Sequence, residues 1–355
     1  MLFRSFPNAQ IDITETCVTY LLFNSFETGL CSTDEDFEVR LQLNPLYSYA
    51  AQNWGHHART ALKEVEVLIF HFLKSEAKVS ASIQAMMARH TYSGYSQETP
   101  RRTTGAHLIA YFGLQEAMIT FIEHGHDPNL KDTRGWTALS WAAVYGHEAV
   151  VKLLLANDSV DANSADNTGR TPLWWAAVNR HIAVVKLLLA NAGVDANCKD
   201  NIGATPLQWA AGLGHKAVVA LLLAKDAVDA DSKDMNGQTP LSWAAREWAG
   251  GKRGPLLNGN EHEAVVKLLL ANDSVDANSK DNIGASPLSW AAGGGYKAAV
   301  KLLLAKDSIE VNTRNNRNQT PLQWAARDGH EAVVELLLAN NGIDADSKEI
   351  GRAHV

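Results

Sequence analysis

The sequence predicts an all-α solenoid, a stack of short helix-turn-helix units joined by tight turns, behind a small helical segment. Three observations predict it: a short string recurs at a fixed spacing, an aliphatic helical run follows each copy, and a polar turn closes each unit.

The string Thr137-Ala-Leu-Ser-Trp-Ala-Ala returns as Thr171-Pro-Leu-Trp-Trp-Ala-Ala and Thr205-Pro-Leu-Gln-Trp-Ala-Ala, and again from Thr239, Ser286 and Thr320. Successive starts are 34 residues apart, except from Thr239 to Ser286, where the gap is 47. Threonine before proline is a helix start, because the hydroxyl caps a free backbone N–H and proline at the first helical position loses no hydrogen bond. Gly146, Gly214 and Gly329 fall where the chain must turn into a second helix, which carries Val150, Val151, Leu154 and Leu155 at helical spacing. Segments such as Asp166 to Gly169 and Asp281 to Gly284 read as the tight turn into the next unit. One such unit cannot bury its apolar face alone, whereas stacked neighbours can.

These residues resemble the ankyrin repeat: Thr-Pro-Leu-x-x-Ala-Ala, then Gly-His, then Val-Val-x-Leu-Leu-Leu. Two departures stand out. The family's usual histidine after Thr-Pro-Leu is replaced by Ser140, Trp174, Gln208, Ser242, Ser289 and Gln323, and the period is one residue longer than usual. A weaker copy starts at Thr104, so the array is expected over 104–355, with about seven units starting at 104, 137, 171, 205, 239, 286 and 320. An insertion at about 247–260 accounts for the long gap, and the last turn, from Ser347, starts another unit and stops.

Residues 1–90 read as helical without the repeat. Asp12-Ile-Thr-Glu15 and Ser32-Thr-Asp-Glu35 have capping-box spacing, Asn44-Pro45 is another helix start, Val65 to Leu73 is an apolar helix core, and Glu76 to His90 is a further helix. Residues 91–103 read as a linker. Two strings, Cys17-Val-Thr-Tyr-Leu21 and Asn44 to Arg59, resemble the segment before the repeats in fungal proteins that join a NACHT-type NTPase to ankyrin repeats. That resemblance implies the recognition arm of a sensor. No phosphate loop of the Gly-x-x-x-x-Gly-Lys-Ser/Thr type accompanies it; Gly250-Gly-Lys-Arg253 lacks the leading glycine and the hydroxyl. The chain then reads as the recognition half without the switch, either a truncated gene model or a stand-alone descendant.

The formal charge of −7 argues against a nucleic-acid partner, since a phosphate-backbone binder needs a basic face. No apolar run is long enough for a membrane span, and no secretory signal precedes Cys17. Three cysteines, Cys17, Cys31 and Cys198, show no zinc-ligand spacing. A cytoplasmic location is expected, with the nucleus as alternative. His56-His57 has no third ligand at a useful spacing, and Asp161 to Asp166 fails the calcium-loop pattern at several positions. No nucleophile, base and orienting group can be nominated, so neither a catalytic residue nor a cofactor or metal is expected.

The recurring Trp141, Trp175, Trp209, Trp243, Trp290 and Trp324 are expected in the core. Partner-binding candidates are the residues that vary between copies near the turns and first helices, which in ankyrin proteins form a concave binding side. They are Trp136, Tyr145, Trp174, Arg180, Arg246, Trp248 and Arg327. For Trp174 and Trp136, local packing is the alternative to binding, and for the insertion with Trp248 it is a tolerated excursion. The expected function is a non-catalytic protein–protein interaction scaffold, the recognition portion of a fungal signalling sensor. The alternative is a regulatory fragment of a NACHT-type NTPase whose switch domain lies outside this chain.

Overall fold

The computed structural model describes residues 8–88, 93–246 and 260–344, whose regular elements are all helices, with no strand among them. The insertion residues 247–259 with Trp248, and the start of another unit from Ser347, lie outside the described residues. The chain divides into two compact units, Met1–Asn167 and Thr168–Val355. Among the described residues, no helix is long and apolar enough to cross a membrane.

The first unit opens with α1 (Ala9–Leu21), α2 (Asp34–Leu43), α3 (Tyr47–Leu73) and α4 (Glu76–Met87). α3 carries the core: Tyr47 stacks on Phe26 at 4.5 Å, and Trp54 meets Phe72 edge-on at 5.5 Å. Two expected caps are displaced. α1 begins at Ala9, so Asp12 to Glu15 lies inside it, and Thr14 Oγ1 donates back to the Gln10 carbonyl at 2.7 Å. In α2 the cap is Thr33 rather than Ser32, its hydroxyl accepting the Asp36 N–H at 3.0 Å. The start at Asn44-Pro45 leads into α3 only at Tyr47.

Residues 93–103 are tied to this segment. A 3-10 turn at Tyr95–Gln97 is held by Asp34, whose carboxylate accepts from the Gly94 and Ser96 N–H groups and from the Ser96 hydroxyl. The buried Gln84 side chain donates to the Cys31 and Ser96 carbonyls, at 3.1 Å each, and accepts the Cys31 N–H at 2.8 Å. All the side-chain amide's polar work is therefore done inside the core, which is what lets it be buried.

Two helix pairs complete the unit: α5 (Gly105–Phe112) with α6 (Gln115–Glu123), and α7 (Ala138–Tyr145) with α8 (Glu148–Leu155). α3 packs on α5, and Gly55 makes that approach possible, because a Cβ there would sit 2.1 Å from the Phe112 ring. Arg59 Nε donates to the Phe112 carbonyl at 2.7 Å, satisfying one free acceptor at the end of α5.

The second unit contains α9 (Pro172–Val178), α10 (Ile182–Ala190), α11 (Pro206–Gly212), α12 (Lys216–Leu223), α13 (Pro240–Ala245), α14 (Asn260–Leu270), α15 (Pro287–Gly293), α16 (Lys297–Leu304), α17 (Pro321–Arg327) and α18 (Glu331–Leu338). Thr171, Thr205, Thr239, Ser286 and Thr320 precede their helices as the sequence predicts. Each hydroxyl accepts the N–H three residues on, at 3.3 Å. First helices pack on first helices and second helices on second helices. Paired alanines such as Ala210 and Ala211 are fully buried at the close contact, while Val218, Val219 and Leu222 fill the space between second helices.

At the turn within each pair, Gly214 takes φ 71°, and a Cβ on it would also lie 2.9 Å from the His262 imidazole of the next pair. His262 Nε2 donates to the Gly212 carbonyl at 3.1 Å, and His330 repeats the contact on Gly293 at 2.9 Å. The turn glycine of one pair and the histidine of the next thus form one device: the imidazole caps the preceding first helix and rests on a residue without a side chain. Arg180 occupies the same turn position with φ 60°, a left-handed conformation that costs an ordinary L-residue about 1–2 kcal/mol.

Candidate partner-binding face

The tryptophan at the recurring position is fixed by an aspartate nine residues earlier, a link the sequence reading missed. Asp200 Oδ1 accepts the Ile202 and Ala204 N–H groups at 3.0 Å each, closing the turn, and its other oxygen accepts the Trp209 indole N–H at 2.8 Å. Asp234 and Asp281 do the same for Trp243 and Trp290, and Asp132 for Trp141 in the first unit. In the last copy Asn315 stands in place of aspartate. Its single acceptor oxygen is used by the Arg317 and Gln319 N–H groups, so the Trp324 indole turns to Gln319 Oε1 at 3.1 Å. One carboxylate therefore locks a turn and an aromatic ring together.

The rings so fixed form an edge-to-face series. Trp209 meets Trp174 and Trp243 at 5.2 Å each, and Trp290 meets Trp324 at 5.4 Å. Trp141, Trp243 and Trp324 are buried, as expected of a core series, whereas Trp175, Trp209 and Trp290 are only partly covered.

The candidates fall on this face unequally. Arg246 is exposed, with its guanidinium 4.5 Å from the Trp290 ring centroid. Arg327 lies 5.6 Å from the Trp324 centroid and holds Asp328 through two 2.8 Å hydrogen bonds. The structure thus brings Arg246 and Arg327 to one aromatic pair, Trp290 and Trp324. The Asp328 carboxyl is held below the usual carboxylate range, chiefly by its hydrogen bonds from Arg327. Arg180 projects from its strained turn to Glu261, 3.1 Å away.

Trp174 is 4% exposed. Arg170 covers it at 4.3 Å, Trp175 and Trp209 pack against its edges, and its indole N–H is buried without a hydrogen-bond partner. A side chain so enclosed fills the unit rather than presenting itself. In the first unit, Trp136 is half-buried, with its indole N–H on Asp166 Oδ2 at 3.1 Å and its ring against Trp141. Tyr145 is 38% exposed beside Tyr111, at 4.4 Å. Trp248 lies outside the described residues.

The third helical position, where the sequence departs from its resemblance, proves informative. His107 Nδ1 accepts the Thr104 N–H at 2.9 Å, and its Nε2 donates to the Trp136 carbonyl of the following turn at 3.0 Å. Gln208 reproduces both bonds: its oxygen accepts the Thr205 N–H at 2.8 Å and its amide donates to the Gln238 carbonyl at 2.7 Å. Burial holds the His107 pKa down, in keeping with a neutral imidazole that accepts at one nitrogen and donates at the other. His56 packs edge-on against Phe112, and His57 bonds Gln10 at 2.7 Å. Among the described residues, no group of three or more His, Cys, Asp or Glu could hold a metal ion.

A family profile described as "Ankyrin repeats (3 copies)" matches residues 106–200, 185–252 and 256–349, more than half of the chain. The chain belongs to the ankyrin-repeat family. Solved ankyrin-repeat structures share its fold. The ankyrin repeat domain of Bcl-3, a member of the IkappaB protein family, is 24% identical with a TM-score of 0.56, covering 67% of this chain and 99% of that one. The human ASB11 ankyrin repeat domain is 26% identical with a TM-score of 0.56, covering 68% and 100%. The ankyrin repeat protein EF0377 is 24% identical with a TM-score of 0.51, covering 61% and 100%. Calmodulin-binding transcription activator 4 of Arabidopsis thaliana is 37% identical over 51 residues, which is 14% of this chain and 5% of that protein. The match therefore spans about a twentieth of that relative's length. Ankyrin repeats are protein–protein interaction scaffolds, and the fold is typically non-catalytic.

Proposed function

We propose that this ankyrin-repeat chain is a non-catalytic recognition scaffold whose partner protein docks on the side formed by its turns and first helices. The observation that carries the reading is the Arg246–Trp290–Trp324–Arg327 group. Arginine and tryptophan dominate the binding energy of many interfaces, and here the two indoles are held by part-buried hydrogen bonds while the arginines stay exposed. A rigid, partly desolvated aromatic floor loses little entropy when a partner covers it. Tyr145 and Arg180 extend the candidate side within their own units.

The finer reading is that of a cytoplasmic or nuclear recognition arm, similar to the one in fungal NACHT–ankyrin sensors. It is supported by the strings from Cys17 and Asn44, which lie on α1 and over the start of α3, the two helices that build the pre-repeat core. Affinity capture with mass spectrometry tests the scaffold reading: one protein should be retained by the wild type and depleted with Arg246→Ala/Arg327→Ala. Retention of nothing specific, or equal retention by both forms, would refute it. An in-frame phosphate-loop segment in the genomic DNA upstream of Met1 would favour the alternative, a regulatory fragment of a larger NTPase, and its absence there a stand-alone recognition arm.

A further inference from the structure

In the second unit, successive turns between repeats are joined by backbone hydrogen bonds. The Met235 N–H donates to the Ile202 carbonyl at 3.0 Å, Asn282 to Asn236 at 2.9 Å, and Asn316 to Ile283 at 2.9 Å. The turn tips therefore form one continuous edge rather than independent loops. Three of the tips carry apolar side chains in the open: Ile202 at 45% exposure, Met235 at 68% and Ile283 at 48%. Nothing in a turn's own chemistry asks for Ile or Met, since such positions favour small and polar residues.

At the tips of these turns the exposed charges are of one sign. Lys199, Lys233 and Lys280 stand at the equivalent place in three successive turns, and all are exposed. Lys199 Nζ donates to the Lys233 carbonyl at 2.8 Å, and Lys233 Nζ to the Lys280 carbonyl at 2.9 Å, which lays their stems along the edge. The carboxylates that follow them, Asp200, Asp234 and Asp281, are buried and occupied by turn N–H groups and indoles. The exposed Asp195, Asp229 and Asp276 come four residues before the lysines and fold back on the N–H two residues on. At the next turn Arg317 occupies the tip. A chain of net charge −7 thus presents here a cationic edge studded with apolar side chains.

We infer that this edge binds an acidic protein segment whose carboxylates alternate with apolar residues. The inference rests on the scaffold reading and assigns the partner its chemistry. Complementary charge steers and orients such a segment, while the isoleucines and the methionine supply the apolar contact. A nucleic acid fits less well, because none of these tips carries an aromatic ring for base stacking.

The test is selection of a random 12-residue peptide display library on the full chain, with affinities of the selected peptides read by fluorescence anisotropy. The expected result is enrichment of Asp and Glu interleaved with Leu, Ile or Phe. Binding should weaken at least tenfold for K199E/K233E/K280E and for I202S/M235S/I283S, with helical circular dichroism unchanged. It should also fall with added salt. Selected peptides without acidic enrichment, or with equal affinity for both variants, would overturn the inference. So would tighter binding, through the same lysines, of single-stranded DNA or phosphatidylserine vesicles. If partner capture then still depended on Arg246 and Arg327, the edge alone would have failed and the scaffold reading would stand.

Discussion

The Trp209 indole N–H donates to Asp200 across 2.8 Å, while the other oxygen of the same carboxylate closes the turn that leads into the helix carrying Trp209. This pairing recurs along the repeats and couples turn geometry to ring position. Asp200→Asn keeps one acceptor for the turn but sets an amide against the indole. It is expected to cost about 1–3 kcal/mol, the usual range for stranding a buried donor. Urea denaturation of the variant measures this, and a midpoint identical to wild type would contradict the coupling.

A second consequence concerns Asp231. Asn197 and Asn278 bridge neighbouring turns: each amide donates to a carbonyl of the next repeat, at 2.6 and 2.7 Å, and each oxygen accepts an N–H from it. Asp231 holds that place in the repeat between them, and its Oδ1 is buried with no hydrogen-bond partner. Burial, then the nearby Asp276 carboxylate, raises its pKa from 3.8 to about 6; the Asp276 N–H and Lys233 pull the other way, and Asp229 adds to the rise. The folded state therefore holds this proton more tightly than the unfolded chain. Its contribution is present below the unfolded value and is lost as pH rises through about 6. Asp231→Asn should raise Tm at pH 8 and lose most of that advantage at pH 4.5, measured by thermal denaturation. An equal effect at both values would contradict the assignment.

His215 acts in the opposite direction. Burial, ahead of the nearby Arg180 and His262 charges, lowers its pKa from 6.5 to about 4, while its bond to the Val178 carbonyl and the Glu261 carboxylate resist. Stability from its neutral form is full above the unfolded value and declines as pH falls toward 4. His215→Gln should flatten the acid limb of the pH–Tm curve between pH 6.5 and 4. An unchanged acid limb would contradict the lowered pKa of His215.

Much of the repeat was legible because its determinants are local. The Thr-Pro caps, the paired alanines and the Val-Leu runs act within one helix pair, and spacing alone places them. The Asp200–Trp209 bond was not legible, since nine residues across a turn match neither helical nor strand period. Trp174 shows the same limit: its enclosure comes from Arg170 in the turn before its helix and from Trp209 in the next repeat, and the latter no single-unit pattern reveals. The Asp12 to Glu15 string misled because capping spacing also occurs inside helices; α1 takes its start from Ala9. Arg246 and Arg327 were found as variable positions, whereas their convergence on Trp290 and Trp324 required coordinates.

Gly214 offers a sharper stability test. With φ 71° and the His262 ring where a Cβ would point, Gly214→Ala should cost about 2–4 kcal/mol, combining left-handed strain with overpacking. Arg180→Gly at the matching turn relieves about 1 kcal/mol of strain and removes an exposed ion pair worth about 0–1 kcal/mol. The two variants should differ by several kcal/mol in urea denaturation, although both only exchange glycine and a side chain at one structural position. Equal stabilities would mean the turn glycine is not required by geometry.

The most direct measurement is the affinity of the purified chain for its captured partner, taken by isothermal titration calorimetry alongside Tm. Arg246→Ala/Arg327→Ala should weaken binding at least tenfold while Tm moves by no more than about 2 °C, as exposed substitutions usually do. Unchanged affinity, or a loss that tracks a collapse in Tm, would contradict it.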